Sequence, residues 1–181
     1  TFRNAERIGD GLQVILPVTA LGCAVVTGNA VPYLGRYVVL EIGIKGPKYL
    51  LGDAPINQRP SGGQRGFPSG HTAAATFGAT ALAQGCLSGS KLAQATVYLG
   101  AGFVGGSRID AGKHSVWQVL AGALWGWMLQ FSAWRGLDQF SRRTFAQMRR
   151  AGRFMTQHSI RIWRWGRYVL AAGLTAFIAA N

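Results

Sequence analysis

Two histidines and two arginines stand where the chain passes from polar loops into apolar runs. Gln58-Arg59-Pro60 leads to Phe67-Pro68-Ser69-Gly70-His71, and His71 opens a stretch of small residues. Farther on, Ser107-Arg108 is followed after five residues by His114, which opens the next apolar run. A helix start offers unpaired N–H groups and a positive dipole end, a ready seat for an anion. The guanidinium group presents a planar fork that fits phosphate oxygens. Histidine near neutral pH serves as nucleophile, general acid or general base. Two helix starts, Arg59, Arg108, His71 and His114 on one face therefore describe a pocket for phosphoryl transfer.

The elements that must position these groups follow from composition. Of 181 residues, 49% are hydrophobic and 14% charged, with 19 basic against 6 acidic side chains and a formal charge of +13. So apolar a chain has ample surface to bury and is not disordered. Strong positive charge raises nucleic acid as a partner, but the charges are segregated in a way that argues against it. Residues 11–35, 72–90, 92–107 and 115–134 carry no charge. A helix needs roughly 17–25 apolar residues to cross a bilayer, and three of these stretches have that length. The expected fold is all-α: a polytopic transmembrane bundle of about 5–6 helices by that length rule. Core helices are expected at 10–29, 32–51, 71–89, 92–107 and 115–134, and a short sixth apolar segment spans 168–180. Gly46-Pro47 should bend or break the second helix, since proline removes a backbone donor. Glu41 and Lys45, four residues apart on that helix, are spaced to pair. The small residues after His71 suit close helix packing. Cys23 and Cys86 lie in apolar runs and read as two buried thiols, with no bearing on compartment.

Residues 135–167 hold nine arginines and one acid, Asp138. On a helical projection Leu137, Phe140, Phe145, Met148, Phe154 and Met155 share one side, and Arg142, Arg143, Arg149, Arg150 and Arg153 the other. This is an amphipathic helix suited to an anionic membrane surface, with Trp163 and Trp165 as interfacial anchors. The chain thus divides into a core, 1–134, and a basic interfacial segment, 135–181. With the arginine segment cytoplasmic, the positive-inside tendency puts loops 52–70 and 108–114 on the outer face. The N-terminus also falls outside, which fits removal of a targeting segment.

At these residues the chain resembles the type 2 phosphatidic acid phosphatase superfamily, which also includes vanadium haloperoxidases. The family pattern is Lys, six residues, Arg-Pro; then Pro-Ser-Gly-His; then Ser-Arg, five residues, His, three residues, Asp. Its second part is present at Pro68 to His71, its third at Ser107, Arg108 and His114, and its first at Arg59 and Pro60. The resemblance implies that His114 attacks phosphorus to give a phosphohistidine and that His71 protonates the leaving oxygen. It implies that Arg59, Arg108 and the backbone around Ser69 and Gly70 hold the phosphate, with no metal or other cofactor. Two positions depart from the pattern. Position 52 is Gly52 where Lys is expected, and Lys48, about one helical turn earlier, takes the part. Position 118 is Gln118 where Asp is expected; a Gln carbonyl can accept the bond that orients the imidazole but brings no charge. Asp53 and Asp110 are the other carboxylates nearby in sequence.

The expected function is an integral-membrane, metal-independent phosphatase acting on a lipid phosphate or pyrophosphate. Its site would face the periplasm or cell exterior from a bacterial inner membrane. Membrane lipids are the expected partners and nucleic acid is not. The alternative is a catalytically impaired family member serving as a structural subunit of a membrane protein complex.

Overall fold

The computed structural model describes residues 2–131, 138–150 and 152. Through residue 131 it contains five α-helices: α1 (Phe2–Val26), α2 (Ala30–Leu50), α3 (Gly70–Gln84), α4 (Lys91–Asp110) and α5 (Val116–Met128). A single 3-10 turn, Pro55–Asn57, interrupts the loop between α2 and α3, and no strand occurs among the described residues. The protein is all-α over this range, as its composition predicts.

Helix α3 is the axis of the bundle, packed against α1, α4 and α5, while α2 makes lighter contacts. Thr72 to Thr80, Leu82 and Ala83 are all buried. Small side chains let neighbouring backbones come close, and glycines set the contact points. A Cβ at Gly78 would strike the α1 backbone at Leu16 and Pro17. One at Gly122 or Gly126, on α5, would strike the carbonyl of Ser69 or of Ala73. Phe77 fills the remaining space on the α2 side, its ring centroid 5.1 Å from that of Tyr33 and 5.7 Å from that of Tyr37. The Tyr33 hydroxyl donates to the Pro17 carbonyl at 2.7 Å and so ties α2 to α1.

The outer faces of the bundle are apolar. Val18 on α1, Ile42 on α2, Leu99 on α4 and Trp117 on α5 are 61%, 63%, 75% and 74% exposed. Among the described residues one helix, over Asn4–Val26, has both the length and the hydropathy to cross a membrane.

Two expectations are corrected. Helix α2 is not broken at Gly46-Pro47: it continues to Leu50, and the Leu51 amide donates to the Pro47 carbonyl at 2.9 Å. The proline withholds one donor from the preceding turn, and the helix runs on past it to Leu50. Cys23 and Cys86 are not separate buried thiols but a disulfide joining α1 to the segment after α3, at the opposite end of α3 from His71. The pairing of Glu41 with Lys45 is present at 3.0 Å.

The chain divides into two compact units, Thr1–Gln139 and Phe140–Asn181. At the edge of the first, Arg36 on α2 pairs with Asp138 and donates to the Gln130 side chain at 3.3 Å. Residues 138–150 are helical, and Phe140, Phe145 and Met148 are exposed. Leu137, Arg153 to Met155, Trp163, Trp165 and the apolar segment 168–180 lie outside the described residues.

Gly126→Ala should lower the unfolding midpoint in detergent, because overpacking against backbone costs about 1–3 kcal/mol. Gly102→Ala, whose added Cβ meets nothing within 4 Å, should leave the midpoint unchanged or raise it. Equal midpoints for the two variants would contradict the packing described.

Candidate functional site

The loop between α2 and α3 is built around a buried asparagine. Asn57 donates through Nδ2 to the carbonyls of Lys48 at 3.1 Å and Gly52 at 2.8 Å, and its Oδ1 accepts from Phe67 N at 3.1 Å. One side chain thus holds the end of α2 against the residues that precede α3. The second loop closes on its own arginine: the amides of Lys113 and His114 donate to the Arg108 carbonyl at 3.0 and 3.2 Å. Gly112, at φ +65°, makes that turn in the left-handed region where glycine carries no steric penalty. Ser61 N donates to Gly112 O at 3.2 Å and joins the two loops.

His114 is buried, and its Nδ1 faces two carbonyl oxygens, Gly66 O at 2.9 Å and Gln118 Oε1 at 3.2 Å. Both neighbours only accept, so Nδ1 carries the proton and Nε2 keeps its lone pair. Gln118 is fixed in turn. Its Nε2 donates to Ile56 O at 2.8 Å and Gln58 O at 2.7 Å, so its Oε1 must be the atom turned toward His114. That oxygen also accepts from Ser115 N at 3.1 Å, while Gln118 N donates to Ser115 Oγ at 3.4 Å. This is a capping box at the start of α5, so local helix chemistry positions the side chain that orients the histidine. Gly66 leaves room for it: a Cβ there would lie 2.7 Å from Gln118 Oε1.

Burial holds the His114 imidazole well below the ordinary histidine range, at about 4. The Gln118 and Gly66 bonds favour the protonated form, and the charges of Lys48 and Arg59 oppose it. The ring is therefore neutral at pH 7, as a nucleophile must be.

The other residues expected at the site gather at the same end of the bundle. Ser69 caps α3, and its amide donates to Gln118 O at 2.9 Å. Lys48 Nζ lies 3.8 Å from where a Cβ on Gly70 would be, and its charge acts on both His71 and His114. Gly52 ends the extension of α2 in the left-handed region, at φ +48°, so the lysine a turn earlier reaches the loop. The Arg59 and Arg108 guanidinium groups each bury an Nε with no hydrogen-bond partner among the described residues. His71, the second residue of α3, is partly open, with Nε2 3.3 Å from Asp10 Oδ1. Asp10 also lies 3.0 Å from Arg108 Nη1.

Asp10, Asn57 and Gly66 escape the motif reading. Asp10 has one usable signal: with Glu6 it forms an acidic pair one turn apart, just before the long uncharged stretch. Neither Asp53 nor Asp110 has a recorded side-chain contact with His71 or His114, and Asp10 approaches the site instead.

Fold and site together define an all-helical protein with histidines and cationic groups clustered at paired helix starts. Residues 17–142 match the model of the PAP2 superfamily. The chain belongs to that superfamily, a phosphatase family. No individual curated protein and no solved structure is similar enough to register as a match.

The clasp makes a prediction about position 118. Gln118→Asp restores the family's residue but, one methylene shorter and without donors, leaves the Ile56 and Gln58 carbonyls unpaired. An orphaned buried polar group costs about 1–3 kcal/mol, so the midpoint and the plateau of kcat/KM should both fall. The added carboxylate favours imidazolium, so the limb where activity is lost on acidification should move up from about pH 4, the wild-type position. A variant as stable as wild type and more active would contradict the clasp.

Proposed function

We propose that the protein is a membrane-embedded lipid phosphatase that works through a phosphohistidine on His114. The observation that carries the reading is the tautomer of His114: two carbonyl acceptors hold the proton on Nδ1 and leave the Nε2 lone pair to attack phosphorus. The Nε2–P bond forms as the bond from phosphorus to the lipid oxygen breaks. His71, as imidazolium, gives that oxygen its proton. Water then attacks the phosphohistidine, the now neutral His71 takes the water's proton, and phosphate leaves with His114 free. Arg59, Arg108, Lys48 and the backbone amides at Ser69 and Gly70 bind the phosphate and offset the charge that develops on its oxygens. No step needs a metal.

A lipid is favoured over a water-soluble phosphate by what adjoins His71. A groove of about 470 Å³ is lined by Val14, Val18 and Leu21 of α1 and by Leu34 and Ile44 of α2, and it reaches Gly70 and His71. An apolar chain lying there brings its phosphate to the histidines. The apolar outer faces of α1, α2, α4 and α5 support a bundle that crosses the membrane several times. Large apolar side chains stand exposed on all four of these helices, as a lipid-facing surface would have them.

The orientation follows the arginine bias of the sequence, with the site on the outer face of a bacterial inner membrane. The exposed Arg142, Arg143, Arg149 and Arg150 suit anionic headgroups, with Phe140, Phe145 and Met148 available to the acyl boundary. The Cys23–Cys86 disulfide pulls the other way, since such bonds persist in oxidising compartments. Nine arginines in one segment outweigh it.

Purified protein in detergent should release phosphate from long-chain lipid phosphates far faster than from glycerol phosphate, and His114→Ala should abolish the release. Folded protein with no release above that variant would favour the structural subunit. Equal rates on both substrates would remove the lipid from the proposal.

A further inference from the structure

The family match begins at residue 17, yet α1 begins at Phe2 and its first three turns reach the site. Helices α1 and α4 are pressed together there, since a Cβ on Gly9 would strike the Ser107 side chain. The contact fixes where the neighbouring acids fall. Arg108 Nη2 donates to the Glu6 carbonyl at 3.1 Å, and the Glu6 carboxylate lies 3.9 Å from Nη1. Asp10 Oδ1 sits between Arg108 Nη1, at 3.0 Å, and His71 Nε2, at 3.3 Å.

We propose that Asp10 is a positioning residue for the acid step, aiming His71 and supplying the negative charge that favours its protonated form. The proposal rests on the phosphatase reading above, in which His71 is the acid. Burial, first of all, holds the His71 imidazole below the ordinary histidine value, and the charges of Arg108 from α4 and Lys48 from α2 act in the same direction. Asp10 from α1 is the countercharge among these groups and favours the protonated ring against them. Nε2 is the ring nitrogen near Asp10, so the transferred proton is assigned to Nδ1, and the ring left behind is neutral. The family pattern places an aspartate beside the nucleophile. Here that position is Gln118, and the carboxylate of the site stands beside the acid.

Substrates that differ in their need for an acid test the assignment. An alkyl lipid phosphate has a strongly basic leaving oxygen, whereas p-nitrophenyl phosphate leaves as a stable phenolate. General acid catalysis contributes about 10²–10⁴-fold, so Asp10→Asn should lower kcat on the alkyl phosphate by about 100-fold. The loss on p-nitrophenyl phosphate should be at least about tenfold smaller, reflecting only the weakened hold on Arg108. Asp10→Glu should recover part of the alkyl rate. The ratio of the two rates does not depend on how much of a variant folds. Equal losses on both substrates would overturn the assignment and leave Asp10 as an anchor for Arg108, and no loss on either would overturn it outright. Wild-type protein with no His114-dependent release from either substrate would instead sink the phosphatase reading and the assignment with it.

Discussion

The side-chain amide of Gln118 is the interaction on which the site depends. Its nitrogen is held by the carbonyls of Ile56 and Gln58, in a loop some sixty residues away. Its oxygen is thereby committed to His114 and to the amide that starts α5. A glutamine free to rotate could present either end, and the Gly66 carbonyl alone would then hold the proton on Nδ1. Locked as it is, the amide does the orienting work of a carboxylate without bringing a charge. The same amide ties the first loop to the start of α5, so the orientation of His114 and the loop carrying Arg59 are parts of one network.

Beneath that network the constraint is close packing on α3. The helix that begins with Ser69, Gly70 and His71 is lined by alanine, threonine and glycine, and its neighbours meet it backbone to backbone. Gly122 brings α5 against the carbonyl of Ser69 itself, so the cap of α3 and the first turn of α5 are held in register. Ser69 N donating to Gln118 O is the consequence. Tolerances this tight fix the donors around an anion before it binds, which is what electrostatic stabilisation of a developing charge requires.

The helices and the two histidines were legible in the sequence because their signals are local. Uncharged runs mark most of α1 and the whole or nearly the whole of α3, α4 and α5, and Arg-Pro, Pro-Ser-Gly-His and Ser-Arg mark the loops. What stayed hidden depends on distant contacts. Nothing adjacent to Gln118 says which end of its amide faces His114, since the deciding carbonyls belong to Ile56 and Gln58. Asp10 lies at the expected start of the first helix and gains meaning only once Gly9 packs on Ser107. Asn57 looks like an ordinary loop residue until its three partners are brought together. Pro47 misled for the opposite reason: its local signal for a break is strong, yet α2 continues past it to Leu50.

The central claim is that His114 takes the phosphoryl group. The direct measurement is a rapid quench of the protein with a lipid phosphate labelled on phosphorus, followed by peptide mapping. The account predicts a phosphoramidate, stable to base and labile to acid, on the peptide containing His114 and absent from His114→Ala. Phosphate released at the wild-type rate from His114→Ala, or label found on His71 instead, would contradict it.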